Sequence, residues 1–565
     1  MRAKSFLVGL ATLLAAVLSP APPAAAQHAG HGAEARAADG SAGGLGAIHF
    51  ATRAAPAAQA EFTRGVLLLH NFHYPEAIAA FKRARQLDPG DAMSAAFEAF
   101  AHTHPVWNQQ DTAQARAALR SLAPTPEARA RMARTPRERA WLDAVETLYA
   151  GDLPKAVRDT AFHRALARLH ADDPADPEAA SFYALSLLGL NQGEREPRAY
   201  AMAEAVADTI LRAHPRHPGA LHYLIHAVDD PASATRGIDA ARVYGETVPA
   251  AGHAQHMTSH IFIALGRWDD VVAANLRAHR AQAPEQYALG HGTHWLAYGL
   301  LQQGKVREAR GWLDSMLIYQ TALADGTRRA ARGRADADAH AVLMTAAHVM
   351  NTDAWDSPLA RMRFDTTHLR AVGVRTLADF LVGYAAARRA ARAADATPGS
   401  RDADRLLADS MLARIGERIA QAQAGGARAV PLGEARAMEQ MLRAERFGWA
   451  NQPDSAVALL RAAAAQLEAL PFAFGPPGTA MPPRERAAEL LLATGRPAEA
   501  LAELEALERT APGRPRARLH RARALLALNR RDEAVQEYRE LAAVWSGADV
   551  GFPGLEEARL GAAVR

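Results

Sequence analysis

The feature that most constrains this chain is a helical unit that returns about every 34 residues. Near the C-terminus Ala500 and Ala534 stand 34 apart, each preceded by a turn (Thr494-Gly495-Arg496 and Leu528-Asn529-Arg530) and each followed four residues later by a large side chain, Leu504 and Tyr538. A helix pair of this kind cannot bury its own apolar face, so it must stack on a copy of itself, and a run of copies winds into a solenoid. Ala-rich and Leu-rich segments with helical spacing fill most of the chain, broken by short turns of Gly, Asn, Asp or Pro, and alternating strand-like runs are absent. The predicted class is all-α.

Near the N-terminus Gly65, Ala77, Phe81, Ala84 and Pro89 fall at positions 8, 20, 24, 27 and 32 of a unit starting at Ala58. This pattern resembles the tetratricopeptide repeat (TPR), in which small residues let the two helices of a hairpin approach closely. The resemblance implies a right-handed solenoid whose first helices line a concave groove. Gly304, Ala309 and Leu313 mark another copy, as do Gly266, Trp268, Val271 and Ala278, while Ala456, Leu460 and Ala463 make a looser one. The expected layout is an N-terminal array over 57–325, a helical region of faded repeats over 326–469, a Pro/Gly hinge or surface loop with Phe472 and Phe474 over 470–483, a repeat pair over 484–550 and a tail over 551–565.

Residues 1–26 read as a secretory signal: Arg2 and Lys4, an apolar stretch from Phe6 to Leu18, then Ala24-x-Ala26. A secreted or periplasmic location is expected. Residues 27–56 are Ala, Gly and His with few large apolar side chains, which predicts a flexible leader. No later stretch reaches the roughly 20 apolar residues that a membrane span needs. Lys and Arg number 65 against 61 Asp and Glu, too even a balance to draw in nucleic acid. The chain has no Cys, so any bound metal must use nitrogen and oxygen ligands.

Histidine departs from a generic repeat scaffold. Of 23, eight lie between His222 and His294, where an even spread would place about three. His222 and His226 are four apart, as are His256 and His260; His253 precedes His256 by three, and His291 precedes His294 by three. Residues three or four apart share a helix face, with Cβ atoms about 5 to 6 Å apart, so each helix offers rings that converge on one ion. Neighbouring first helices about 8 to 10 Å apart allow pairs to combine. An all-imidazole set suits Zn, Cu, Fe or Ni and argues against Ca or Mg, which prefer oxygen. Asp229 and Asp230 are candidate oxygen ligands or supports, and Tyr223 and Tyr298 candidate proton carriers.

The chain reads His222-Tyr223-Leu224-Ile225-His226, His253-Ala254-Gln255-His256-Met257-Thr258-Ser259-His260-Ile261 and His291-Gly292-Thr293-His294-Trp295-Leu296. These motifs resemble those of a group of exported bacterial TPR proteins. The resemblance implies that His222, His226, His253, His256, His260, His291 and His294 share the concave surface. Two readings follow: one or two transition-metal ions held there, with metal-dependent chemistry as an extension, or a metal-free adaptor whose polar groove takes a protein or peptide partner. His70, His73, His102 and His104 form a weaker set, better read as ordinary turn and helix-end residues, and His340 and His348 are ambiguous. His28 and His31 lie in the leader. Gly299 to Lys305 spells a phosphate-loop pattern, but Val306 stands where Ser or Thr is needed and the stretch does not follow a strand. No standard protease or esterase motif is present.

Overall fold

The computed structural model describes residues 43–190, 195–282, 289–328, 334–367, 369, 371–392 and 398–564. The expected signal segment 1–26 and residues 27–42 of the expected leader, with His28 and His31, lie outside the described residues. From Ser41 to Arg565 the chain forms one compact unit. Among the described residues it contains twenty-five α-helices and a single two-stranded hairpin, Thr103–His104 against Gln109–Gln110. None of these helices is long and apolar enough to cross a membrane.

Local signals start the helices. Asp91 accepts hydrogen bonds from the backbone N–H groups of Met93 and Ser94 at the head of Ala92–Phe100, and Asp176 does the same for Glu178 and Ala179 at the head of Pro177–Gly189. Each cap satisfies donors that the first turn leaves without intrahelical partners. Small residues then set the hairpin spacing. Gly65 lies flat against the Phe81 ring, where a Cβ would collide with it, which is why the helices Pro56–His70 and Tyr74–Leu87 pack so closely.

Two apolar cores run along the array, one drawing on residues from Leu45 to Ala347 and the other on residues from Leu289 to Ala487. The coil then touches itself. Trp268 donates its indole N–H to the Gly513 carbonyl at 2.8 Å, Trp545 donates to Gln302 O at 2.9 Å, and Asp549 N donates to Gly304 O at 3.0 Å. Gly266 and Gly304 permit this approach: both hold positive φ, and a side chain on either would strike residues 512–513 or 548–552.

Three expectations change. The end of the expected leader is not flexible: Phe50 is only 2% exposed, with its ring centroid within 5.4 Å of those of Phe62, Phe97 and Trp141. One aromatic side chain among small residues suffices to anchor the segment. Residues 470–483, expected as a hinge or surface loop, keep Phe472 and Phe474 exposed but bury Thr479, Ala480 and Met481 and pack Gly475 against Trp295, which ties the segment down. In the expected tail, Leu555–Ala562 is helical and seats Gly561 on the Tyr538 ring.

Candidate metal centre

Seven imidazoles were expected on an open concave groove, yet the structure encloses them. His222 is fully buried, and His226, His256, His260 and His294 are nearly so. The first described helix, Pro56–His70, packs across Pro218–Ala227, close enough that a Cβ on Gly219 would strike the His70 ring.

Three helices supply the rings: Pro218–Ala227, Gly252–Ala264 and His291–Gln302. His222 and His226 stand one turn apart with ring centroids 4.9 Å from each other, and His256 and His260 repeat the arrangement at 5.1 Å. The middle helix serves two groups. His253 joins His222 and His226, while His256 and His260 join His291; in each triad one ring nitrogen per residue lies within 4.8 Å of the other two. The triads adjoin, with His226 and His260 ring centroids 6.2 Å apart.

The first triad has an unusual hydrogen-bond balance. His222 donates from Nδ1 to the His70 carbonyl at 2.7 Å, because a carbonyl can only accept. That fixes its tautomer and leaves a lone pair on Nε2. The Nε2 atoms of His222, His226 and His253 are all buried and without a hydrogen-bond partner. Buried polar atoms are rarely left so, and three in one place need a common explanation. Burial, reinforced by the neighbouring rings, pushes His226 and His253 well below the usual histidine range and His222 to about 3, so all three are neutral at pH 7.

Aromatic rings wall the first triad. Phe72 lies 4.3 Å from the His222 ring and 5.6 to 5.7 Å from those of His253 and His226, and Trp107 comes within 5.9 Å of His253. Phe72 has φ of 56°, a left-handed conformation that costs a residue with a Cβ about 1–2 kcal/mol. Asn71 holds this turn by donating to Leu45 O and Leu67 O and accepting from the Tyr244 hydroxyl. His73, half-buried on the same turn, is near enough for its charge to depress His222 and His253.

In the second triad both members of the pair are oriented from behind. Asn275 uses its amide nitrogen on Val271 O, so its Oδ1 accepts from His256 Nδ1 at 2.7 Å. Asp229 Oδ2 accepts from His260 Nδ1 at 2.5 Å. The two Nε2 atoms face each other at 3.3 Å, within hydrogen-bond distance. Two lone pairs repel at that distance unless a proton or cation lies between them. Ligands held tetrahedrally at about 2.0–2.1 Å from an ion are themselves about 3.3–3.4 Å apart. Trp295 stacks on His260 at 4.4 Å, and Phe474 reaches the same ring at 5.0 Å from residues 470–483.

His294 was expected to join the set and does not. Three positions after His291 it is rotated about 60° around the helix, and its nearest imidazole is His340, 6.2 Å away between centroids. Asp230 forms an ion pair with Arg195. Tyr298 accepts from Arg514, and Tyr223 bonds His70 Nδ1 at 2.9 Å. His104 stacks on Tyr74, and His340 bonds its own helix at Asp336 O.

A third cluster, His70, Glu178 and His217, also brings three ligand atoms together but needs no ion. His217 Nδ1 accepts from Ala220 N, so its Nε2–H donates to Glu178 Oε1, while His70 Nε2 meets Oε2 at 2.8 Å. Burial raises the Glu178 carboxyl, but its two imidazole partners outweigh that and hold it at about 2. Every polar group here is satisfied. This clamp locks Pro56–His70 onto Pro177–Gly189 and thereby fixes the His70 carbonyl that orients His222.

Residues 491–544 match a family model described as tetratricopeptide repeat. No curated protein matches the chain. Among solved structures it is similar to a human IFIT1 dimer with m7Gppp-AAAA, at 13% identity over 84% of this chain and 89% of that one, with a TM-score of 0.31. It is also similar to yeast Tom70, at 12% identity over 90% and 95%, with a TM-score of 0.25.

Proposed function

We propose that this tetratricopeptide-repeat protein is an interaction scaffold for a protein or peptide partner, and that its buried histidines hold one or two transition-metal ions inside that scaffold. The family match at 491–544 supports the scaffold directly and requires nothing of the histidines. The metal half rests on one observation: three buried Nε2 atoms, from His222, His226 and His253, that have no hydrogen-bond partner. His256, His260 and His291 would hold a second ion. His70 O, Asn275 and Asp229 act behind the ligands, each fixing the ring that presents Nε2 inward.

Zn, Cu and Fe suit such nitrogen sets. An ion with three imidazole ligands keeps a position for water or substrate and supplies a Lewis acid there. The protein side excludes solvent with Phe72 and Trp295 and keeps His222, His226, His253 and His291 neutral through burial. Export to a secreted or periplasmic location belongs to the same proposal.

Metal analysis of protein purified without a His tag tests the reading. The expected result is up to two equivalents per chain, with His226→Ala losing one and His260→Ala the other. Zinc added at about 100 times its Kd should stabilise the stripped protein by about 2.7 kcal/mol. Protein that carries no metal and whose melting is indifferent to Zn, Cu and Fe would leave the adaptor alone standing.

A further inference from the structure

Beside the second triad lies a cavity of about 290 Å³, walled by the first repeat array on one side and by residues 430–514 on the other. Its lining is chiefly apolar and aromatic, with Trp268, Tyr298, Phe472 and Phe474 among the larger side chains. The polar groups inside are unevenly matched. Arg484 forms ion pairs with Glu468 and Glu503, and Arg514 with Glu485 while also donating to Tyr298, so neither guanidinium lacks a counter-charge.

Two carboxylates are left. Asp229 is 1% exposed; one oxygen serves His260, and the other, Oδ1, is buried without a hydrogen-bond partner. Glu434 sits against Gly373 and Gly478, where any Cβ would collide with its carboxylate oxygens. Burial alone pushes this carboxyl up to about 7, with no cation nearby to bring it back. A concave aromatic space with surplus acceptors and surplus negative charge is complementary to an organic cation.

We propose that this cavity binds a small, mainly apolar molecule bearing a protonated amine, its body among Trp268, Tyr298, Phe472 and Phe474 and its ammonium drawn to the carboxylate of Glu434. The site does not depend on the metal reading, since neither the aromatic wall nor Glu434 belongs to a triad.

Calorimetric titration at pH 8 with 2-phenylethylammonium chloride, 2-phenylethanol and sodium phenylacetate tests it on the full chain. The ammonium compound should bind about tenfold tighter than the alcohol, and phenylacetate should not bind. Glu434→Gln should erase the preference for the amine while leaving alcohol binding, melting temperature and metal content unchanged. Equal affinities for amine and alcohol, tighter binding of phenylacetate, or a preference that survives Glu434→Gln would each overturn the proposal. So would amine binding that vanishes after chelator treatment, because the amine would then be a metal ligand.

Discussion

Two regions of this solenoid bury polar groups in opposite ways. Between His222 and His291 the interior holds imidazoles, and burial keeps His222, His226 and His291 among them neutral. Between Arg388 and Arg516, Glu434 apart, the interior holds full charges in pairs. Arg486 grips Glu445 at 2.7 and 3.0 Å, Arg388 reaches Glu489 at 2.8 Å, and Arg514 pairs with Glu485. Burial opposes the charge on Arg486, yet Glu445 and Glu489 outweigh it and hold the guanidinium well above its usual pKa. A buried group with no counter-charge sheds its own, whereas one with a matched partner keeps it. The first solution leaves lone pairs available to a ligand; the second leaves nothing to bind.

Breaking a charge pair should cost most. Arg486→Met strands Glu445, whose next guanidinium, Arg388, is 3.9 Å away. A loss of about 3–5 kcal/mol in urea unfolding is expected. The double variant with Glu445→Leu should recover most of it, and a double variant as unstable as the single would mean that the pair acts through packing alone. On the imidazole side, Gly219→Ala drives a methyl group into the His70 ring, displacing both the Glu178 clamp and the carbonyl that orients His222. About 1–3 kcal/mol should be lost. Unchanged melting would show that this contact is loose.

The mildest test is acid. His348, 6% exposed, is pushed by burial to about 4, against 6.5 in its ordinary state. The unfolded chain takes up that proton first, so the contribution of this group is full above pH 6.5 and drains away as pH falls toward 4. The slope is about 1.4 kcal/mol per pH unit. His348→Phe should flatten the pH dependence of stability between pH 6.5 and 5 by that amount, and an identical slope would place the imidazole in water.

Much of the fold was legible because helical repeats advertise themselves locally. Gly65 opposite Phe81, and the equivalent positions Ala500 and Ala534, are read from spacing alone, and the close contact of the first pair and the burial of the second agree. Pairing within a helix was equally legible, as His222 with His226 and His256 with His260 show. Curvature was not. Whether a groove is open or filled depends on small rotations summed over many repeats, and no single residue encodes that sum. His294 was misplaced for a simpler reason, since a spacing of three leaves it about 60° around the helix from His291, enough to face a different neighbour. The residues that orient the rings, His70 O, Asn275 and Asp229, lie on other elements, and only Asp229 stood near enough in sequence to suggest itself. Phe72 gave no sequence signal, because a left-handed phenylalanine looks like any other.

The contact between Trp268 and Gly513 changes what kind of object this chain is mechanically. A solenoid with two loose ends behaves like a spring and can fray one unit at a time. A coil hooked to itself across 245 positions is a clasped bracelet, in which an outer unit cannot peel away without first opening the catch.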